Sequence, residues 1–169
     1  MSQSKDRSEV RWLHLSDLHR GAPGGEARWK NAKSALLEDM SARAKDYGSP
    51  DLILFTGDLA FKGIEAEYAL VDRTLKEVKE AVGGDPVVVP VPGNHDLARP
   101  RPKSIIVKAL QSYHADYDVR QSFIGAERDY IEPLERAFGA YHSWWEQIKR
   151  DWADQKLDFE SECLPGRLA

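Results

Sequence analysis

The 169-residue chain contains a single cysteine, Cys163, so no internal disulfide can staple it and a reducing compartment is expected. No apolar run approaches the roughly 20 residues needed to cross a bilayer. The first ten residues, MSQSKDRSEV, lack the apolar centre of a secretion signal, so the expected location is cytoplasmic and no membrane partner is foreseen. An excess of basic charge is also missing. Lys and Arg number 24 against 28 Asp and Glu, a formal net charge of -4, which gives no electrostatic reason to expect nonspecific nucleic-acid binding. There is no internal repeat and no low-complexity stretch. What is left is an ordinary globular composition, 41% hydrophobic and 31% charged, at a length suited to one domain with a real core.

After a polar tail (residues 1–9), VRWLHLS at Val10–Ser16 is rich in β-formers and short enough for a strand. Trp29, Ala32, Leu36, Met40 and Ala44 then recur at helical steps, with Gly48 as a stop. DLILFT at Asp51–Thr56 is almost continuously apolar, as expected of a strand covered on both faces. Tyr68, Val71, Leu75, Val78 and Val82 predict a second helix closed by Gly83-Gly84, and VVVPVPGNHD follows. Proline cannot donate to a strand ladder, so Pro90 and Pro92 place the paired part of the third strand at about Pro86–Val89. Strand, helix, strand, helix, strand predicts parallel pairing with right-handed crossovers in a layered α/β fold. Beyond residue 97 the character changes. ARPRPK is a loop, Ser104–Tyr113 suits a short helix, and Glu132–Trp152 predicts one strong helix with Pro133 in its first turn. Its apolar stripe is Leu134, Phe138, Tyr141, Trp145, Ile148 and Trp152.

Each strand runs into side chains of metal-ligand type: Asp17-Leu18-His19, Gly57-Asp58 and Gly93-Asn94-His95-Asp96. In parallel α/β sheets ligands bind beyond the carboxyl ends of the strands, and neighbouring strands lie under about 5 Å apart. The three tips can therefore share one pocket. Carboxylate, imidazole and amide oxygen together suit Mn²⁺, Fe²⁺ or Zn²⁺ rather than a thiolate-loving metal. Two such ions roughly 3.5–4 Å apart would clamp a phosphoryl group for in-line attack by water. A histidine left off the ions could protonate the leaving oxygen, its ring held by an adjacent carboxylate.

Asp-x-His, Gly-Asp and Gly-Asn-His-Asp, in that order at crossover spacing, resemble the calcineurin-like metallophosphoesterases. The resemblance covers about residues 10–99. It implies that Asp17 and His19 bind a first metal, that Asp58 bridges two, and that Asn94 binds the second metal and the phosphate. It makes His95 the acid that protonates the leaving group and Asp96 the residue that orients His95. The wording WLHLSDLH and FTGDLAFKG resembles the bacterial branch containing cyclic-nucleotide phosphodiesterases, rather than the protein phosphatases, whose Asp-Arg-Gly is replaced here by GDLAFKGIEAEY. The implied cofactors are two divalent ions in a complete domain, Mn first and Fe or Zn next. The implied substrate is a phosphate ester, cyclic nucleotides leading and nucleic-acid ends behind.

The family pattern continues with an isolated His and a Gly-His-x-His that this sequence does not contain; its five histidines are His14, His19, His95, His114 and His142. Residues 10–169 thus read as the N-terminal part of a metallophosphoesterase domain, with a strand-helix core at 10–99 and a helical segment at 100–155. The expected fold is an incomplete half of the layered α/β architecture, its sheet left with an apolar edge or face uncovered and open to self-association or to the remainder of a longer protein. At most one ion is expected to be well held, with little turnover by this chain alone. The alternative is a catalytically weak metal-binding or regulatory recognition domain of a larger protein, and a Gly-His-x-His beyond Ala169 would separate the two. His14 reads as a packed sheet residue, His114 as solvated and His142 as a helix flank. Arg20 reads as a solvated loop arginine with phosphate contact as its rival. Trp144, Trp145 and Trp152 read as packing, with base stacking as theirs.

Overall fold

Short β-rich runs and longer amphipathic segments sort into nine elements in a computed structural model that describes residues 9–151. The tail before Glu9, Trp152 and Cys163 lie outside the described residues. In chain order the elements are β1 (Trp12–Leu15), α1 (Gly25–Tyr47), β2 (Leu52–Thr56), α2 (Glu65–Val82), β3 (Val87–Val91), α3 (Ile105–Ser112), α4 (Tyr117–Ile124), α5 (Arg128–Ala137) and α6 (Gly139–Asp151). The strands pair in parallel in the order β1-β2-β3, with Trp12 opposite Leu52 and Leu52 opposite Val87. No helix among the described residues is long and apolar enough to cross a membrane.

The strand order decides where the core lies. Two successive right-handed crossovers that step the same way across a sheet must place both helices on the same face. Ile53, Phe55 and Val88 are buried on that face against Val71, Leu75 and Val78 of α2 and Met40 of α1. Tyr141, Trp144, Trp145 and Ile148 of α6 complete the same cluster, with Trp144 stacked on Tyr68 at 5.4 Å. The packing reading of Trp144 and Trp145 therefore holds. The opposite face carries Trp12, His14, Leu54, Val89 and Val91, and Trp12 is 65% and Val91 46% exposed. β2 is thus buried on one face only. This corrects the expectation of a strand covered on both faces and agrees with the expected uncovered apolar face. His14 is exposed there and hydrogen-bonds Thr56 across the sheet, rather than being packed.

Three local expectations also change. β3 runs through Pro90 to Val91 instead of ending at Val89. Val87 donates to the Asp51 carbonyl and Val91 accepts from Gly57, so these odd positions turn their backbone toward β2. Pro90 turns its backbone away, so its missing N–H breaks no ladder bond, and its carbonyl accepts from the Tyr141 hydroxyl at 3.0 Å. The single helix expected at Glu132–Trp152 is two, and Pro133 lies inside α5 rather than at a first position. The break follows Ala137, whose carbonyl accepts from Ala98 N–H at 2.8 Å and so leaves the helical ladder. Finally, α4 was not expected. Asp116 caps it by accepting from the N–H groups of Asp118 and Val119 at 3.0 and 3.1 Å.

Phe55 is 1% exposed at the centre of the cluster. Phe55→Ala is expected to cost about 3–5 kcal/mol of stability, read as a shift of the urea midpoint. A loss below about 1 kcal/mol would remove β2 from the core.

Candidate active site

The loops after the strands continue the parallel pairing. Asp17 N–H donates to the Gly57 carbonyl at 3.1 Å, His19 to Asp58 at 2.8 Å and Arg20 to Leu59 at 2.9 Å. In these loops Asp17, His19 and Asp58 all adopt positive φ, at 56°, 43° and 53°. Such backbone is rare outside glycine and costs of order 1–3 kcal/mol per residue unless the surroundings enforce it. Three of the four non-glycine residues with positive φ among those described are thus the expected ligands.

Ligand-type atoms of His19, Asp58 and His95 lie within 4.8 Å of one another. His19 Nε2 stands 3.7 Å from Asp17 Oδ1 and 3.8 Å from Asp58 Oδ2, too far for hydrogen bonds. Atoms that each bind one ion at about 2.0–2.2 Å are separated on nearly this scale. Two imidazoles and a carboxylate that approach without bonding one another therefore fit a divalent ion. The composition of the tight group differs from the expected first site, because His95 belongs to it and Asp17, with its side chain 67% exposed, sits at its edge. Asn94 is exposed at the turn between Gly93 and His95.

His95 is fixed by three contacts. Its N–H donates to Asp58 Oδ1 at 3.0 Å, its Nδ1 meets the Phe61 carbonyl at 2.8 Å, and its ring stacks on Phe61 at 5.2 Å. A carbonyl only accepts, so Nδ1 carries the proton and Nε2 is left free. Asp96 does not touch this ring. It is fully buried and accepts from Leu59 N–H at 3.1 Å, Ala60 N–H at 2.8 Å, Gly93 N–H at 2.8 Å and the Tyr68 hydroxyl at 3.2 Å. The expected orienting contact is thus replaced by a backbone carbonyl, and Asp96 braces the β2 and β3 loops instead. Burial, then the Asp96 charge, push the Tyr68 phenol well above its ordinary 10.0.

Arg20 is not solvated: it is 3% exposed, because its bond to Leu59 draws it beneath the start of α1. There it pairs with Glu26 at 3.1 Å and lies over the Trp29 ring. Desolvation lowers its pKa against the opposing pull of Glu26. The groove beside it, about 530 Å³, is bounded by Asp17, His19, His95, Arg28, Trp29 and Phe61. His114 is exposed and His142 half-buried on α6, as expected, and most of the 98–103 loop is exposed. Sequence reasoning assigned no role to Phe61, although it lies within the quoted FTGDLAFKG stretch.

A parallel sheet whose three tips bring two histidines and an aspartate together presents a group that could hold a metal ion. The chain belongs to the calcineurin-like phosphoesterase family, whose model matches residues 10–163. It is 33% identical over 84 residues to a probable cyclic nucleotide phosphodiesterase of Rhodococcus erythropolis, covering 50% of this chain and 27% of that protein. It is 37% identical over 90 residues to a cAMP/cGMP dual specificity phosphodiesterase of Mycobacterium tuberculosis, covering 50% of this chain and 26% of that one. The matches thus span about a quarter of these curated relatives.

Two outcomes test this geometry. A Cβ at Gly93 would lie 2.6 Å from Asp58 N and overlap its carboxylate. Gly93→Ala is therefore expected to destabilise by about 1–3 kcal/mol and to weaken Mn²⁺ binding in calorimetric titration. Unchanged stability and affinity would mean that the two loops do not meet. The raised Tyr68 pKa makes a contribution to stability that is complete below pH 10.0 and lost as pH rises above it. Melting from about pH 8 to 11 should show a plateau and then a fall, by up to about 1.4 kcal/mol per pH unit for each such tyrosine. Tyr68→Phe should make that fall shallower.

Proposed function

We propose that this chain supplies the metal-holding and proton-handling residues of a phosphoesterase that hydrolyses a phosphodiester or phosphomonoester. The carrying observation is the convergence of His19, Asp58 and His95 at three strand tips. Asp17, His19 and Asp58 would hold a first divalent ion, Mn²⁺ for preference, and Asn94 would contribute to a second. When bound, such ions neutralise phosphoryl oxygens and increase the acidity of water. The chain's own part is positional. Asp58 holds the His95 backbone through Oδ1 and keeps Oδ2 toward His19. With Nδ1 committed to Phe61, His95 in its protonated form passes the Nε2 proton to the departing oxygen as the P–O bond breaks, while the attacking water releases one proton to solvent and its oxygen bonds to phosphorus. Cyclic nucleotides lead among substrates, supported by the names of the two relatives.

A second reading is a metal-binding or regulatory recognition domain with little turnover. It is favoured by the ligand count, since the tight group among the described residues has three members. We therefore expect Mn²⁺ titration to show one well-held ion, and two tight sites would overturn that assignment.

Hydrolysis of bis-p-nitrophenyl phosphate with Mn²⁺ separates the roles. His95→Ala should lower turnover by about 10²–10⁴-fold with Mn²⁺ affinity nearly unchanged. Asp58→Asn should weaken affinity by more than about tenfold, the scale that even an outer contact commands. Equal rates in wild type and both variants would refute these roles. An affinity loss in His95→Ala as large as in Asp58→Asn would make His95 a ligand instead.

A further inference from the structure

Glu67 is a charged residue that the site described so far does not use, yet it is 5% exposed. It sits in the first turn of α2, and its Oε2 accepts from Lys62 N–H at 2.7 Å and Phe61 N–H at 3.2 Å. A buried carboxylate is retained only where donors satisfy it. These donors are backbone amides before the helix, so the carboxylate fixes the conformation of the β2 loop. The first loop leans on the same group: a Cβ at Gly21 would come within 2.5 Å of Glu67 Cγ.

The peptide that Glu67 grips is also the one that meets the site. The Phe61–Lys62 peptide donates its N–H, that of Lys62, to Glu67 at 2.7 Å and offers its Phe61 carbonyl to His95 Nδ1 at 2.8 Å, while the Phe61 ring stacks on the imidazole at 24°. We propose that Glu67 is a positioning residue that acts through the Phe61 peptide to hold His95 in its Nδ1–H form with Nε2 free. The proposal deepens the phosphoesterase reading and rests on it for the effect on turnover, whereas the effect on the imidazole stands without it. A role confined to supporting the start of α2, where an acid is welcome in any case, would leave the histidine unchanged.

The test is a long-range ¹H–¹⁵N spectrum of histidine-labelled protein at about pH 8, where an ordinary imidazole is neutral. It is recorded metal-free and with diamagnetic Mg²⁺, and His95 is assigned by its loss in His95→Ala. Wild type should show His95 wholly as the Nδ1–H tautomer. Glu67→Gln should preserve it, because one amide oxygen can accept the same two N–H groups. Glu67→Ala, and Glu67→Asp with its reach shortened by one methylene, should release the Phe61 carbonyl and populate the Nε2–H form. Turnover of bis-p-nitrophenyl phosphate should then fall about 10–100-fold with KM within about twofold. If Glu67→Ala does not fold, Glu67→Asp decides. An unchanged His95 tautomer in a folded variant overturns the proposal. A shifted tautomer in a protein whose wild type hydrolyses no ester supports the positioning role and sinks the phosphoesterase reading alone.

Discussion

A carboxylate withdrawn from water needs donors on several sides, and Asp96 obtains them from three separate segments. Leu59 and Ala60 supply two amides from the β2 loop, Gly93 one from the β3 loop, and Tyr68 a hydroxyl from α2. Hydrogen bonds to a charged group contribute about 1.5–3 kcal/mol each, enough together to hold loops that have no ladder of their own. The Tyr68 hydroxyl that reaches Asp96 belongs to a ring that also packs on Trp144 of α6. Tyr68 thus joins the polar knot beneath the site to the apolar core, as do Leu59 and Ala60, whose amides bond Asp96 and whose side chains are buried in that core.

That knot accounts for the unusual backbone above it. Left-handed Asp17, His19 and Asp58 would relax to ordinary conformations in free loops. They persist because each strained tip is bonded to the next one, and the β2 loop is anchored from below by Asp96 and from the side by Glu67. The consequence is convergence of side chains that a relaxed turn would point outward. Strain of this kind, concentrated in the residues with ligand atoms, supports a site and not merely a set of turns. Gly93 serves the same end by its lack of a side chain, since the space a Cβ would occupy belongs to Asp58.

Much of this was legible in the sequence because it depends on periodicity. Parallel β1-β2-β3, α1 and α2 follow from alternating apolar runs and turn signals, and the three polar tips follow from chain order. What could not be read depends on partners distant in the chain. Pro90 stays inside a strand because its backbone faces Tyr141, and the helix around Pro133 breaks where Ala98 captures the Ala137 carbonyl. Arg20 is drawn from solvent by a bond to Leu59. β2 appeared buried on both faces because its composition is apolar throughout, whereas the helices cover only one. The role of Asp96 was misplaced because adjacency to His95 suggested contact, while the turn sends the two side chains to opposite tasks.

Hydrogen-bond saturation also explains which carboxylates remain able to bind an ion. Asp96 is committed to four donors and has no face left for a metal. One Glu67 oxygen serves two amides, and the residue is buried away from the tips. Asp58 splits its carboxylate, with Oδ1 on the His95 amide and Oδ2 directed toward His19, so it both joins two loops and keeps a ligand oxygen. Asp17 is exposed and accepts no hydrogen bond among the described residues. The site thus separates into groups consumed by holding the loops and groups left open by that consumption. The latter are Asp17, Asp58 Oδ2, His19 Nε2 and His95 Nε2, with Asn94 exposed beside them. The same bonds that make the strained tips stable therefore decide which carboxylate and imidazole atoms stay open, and residue type alone does not.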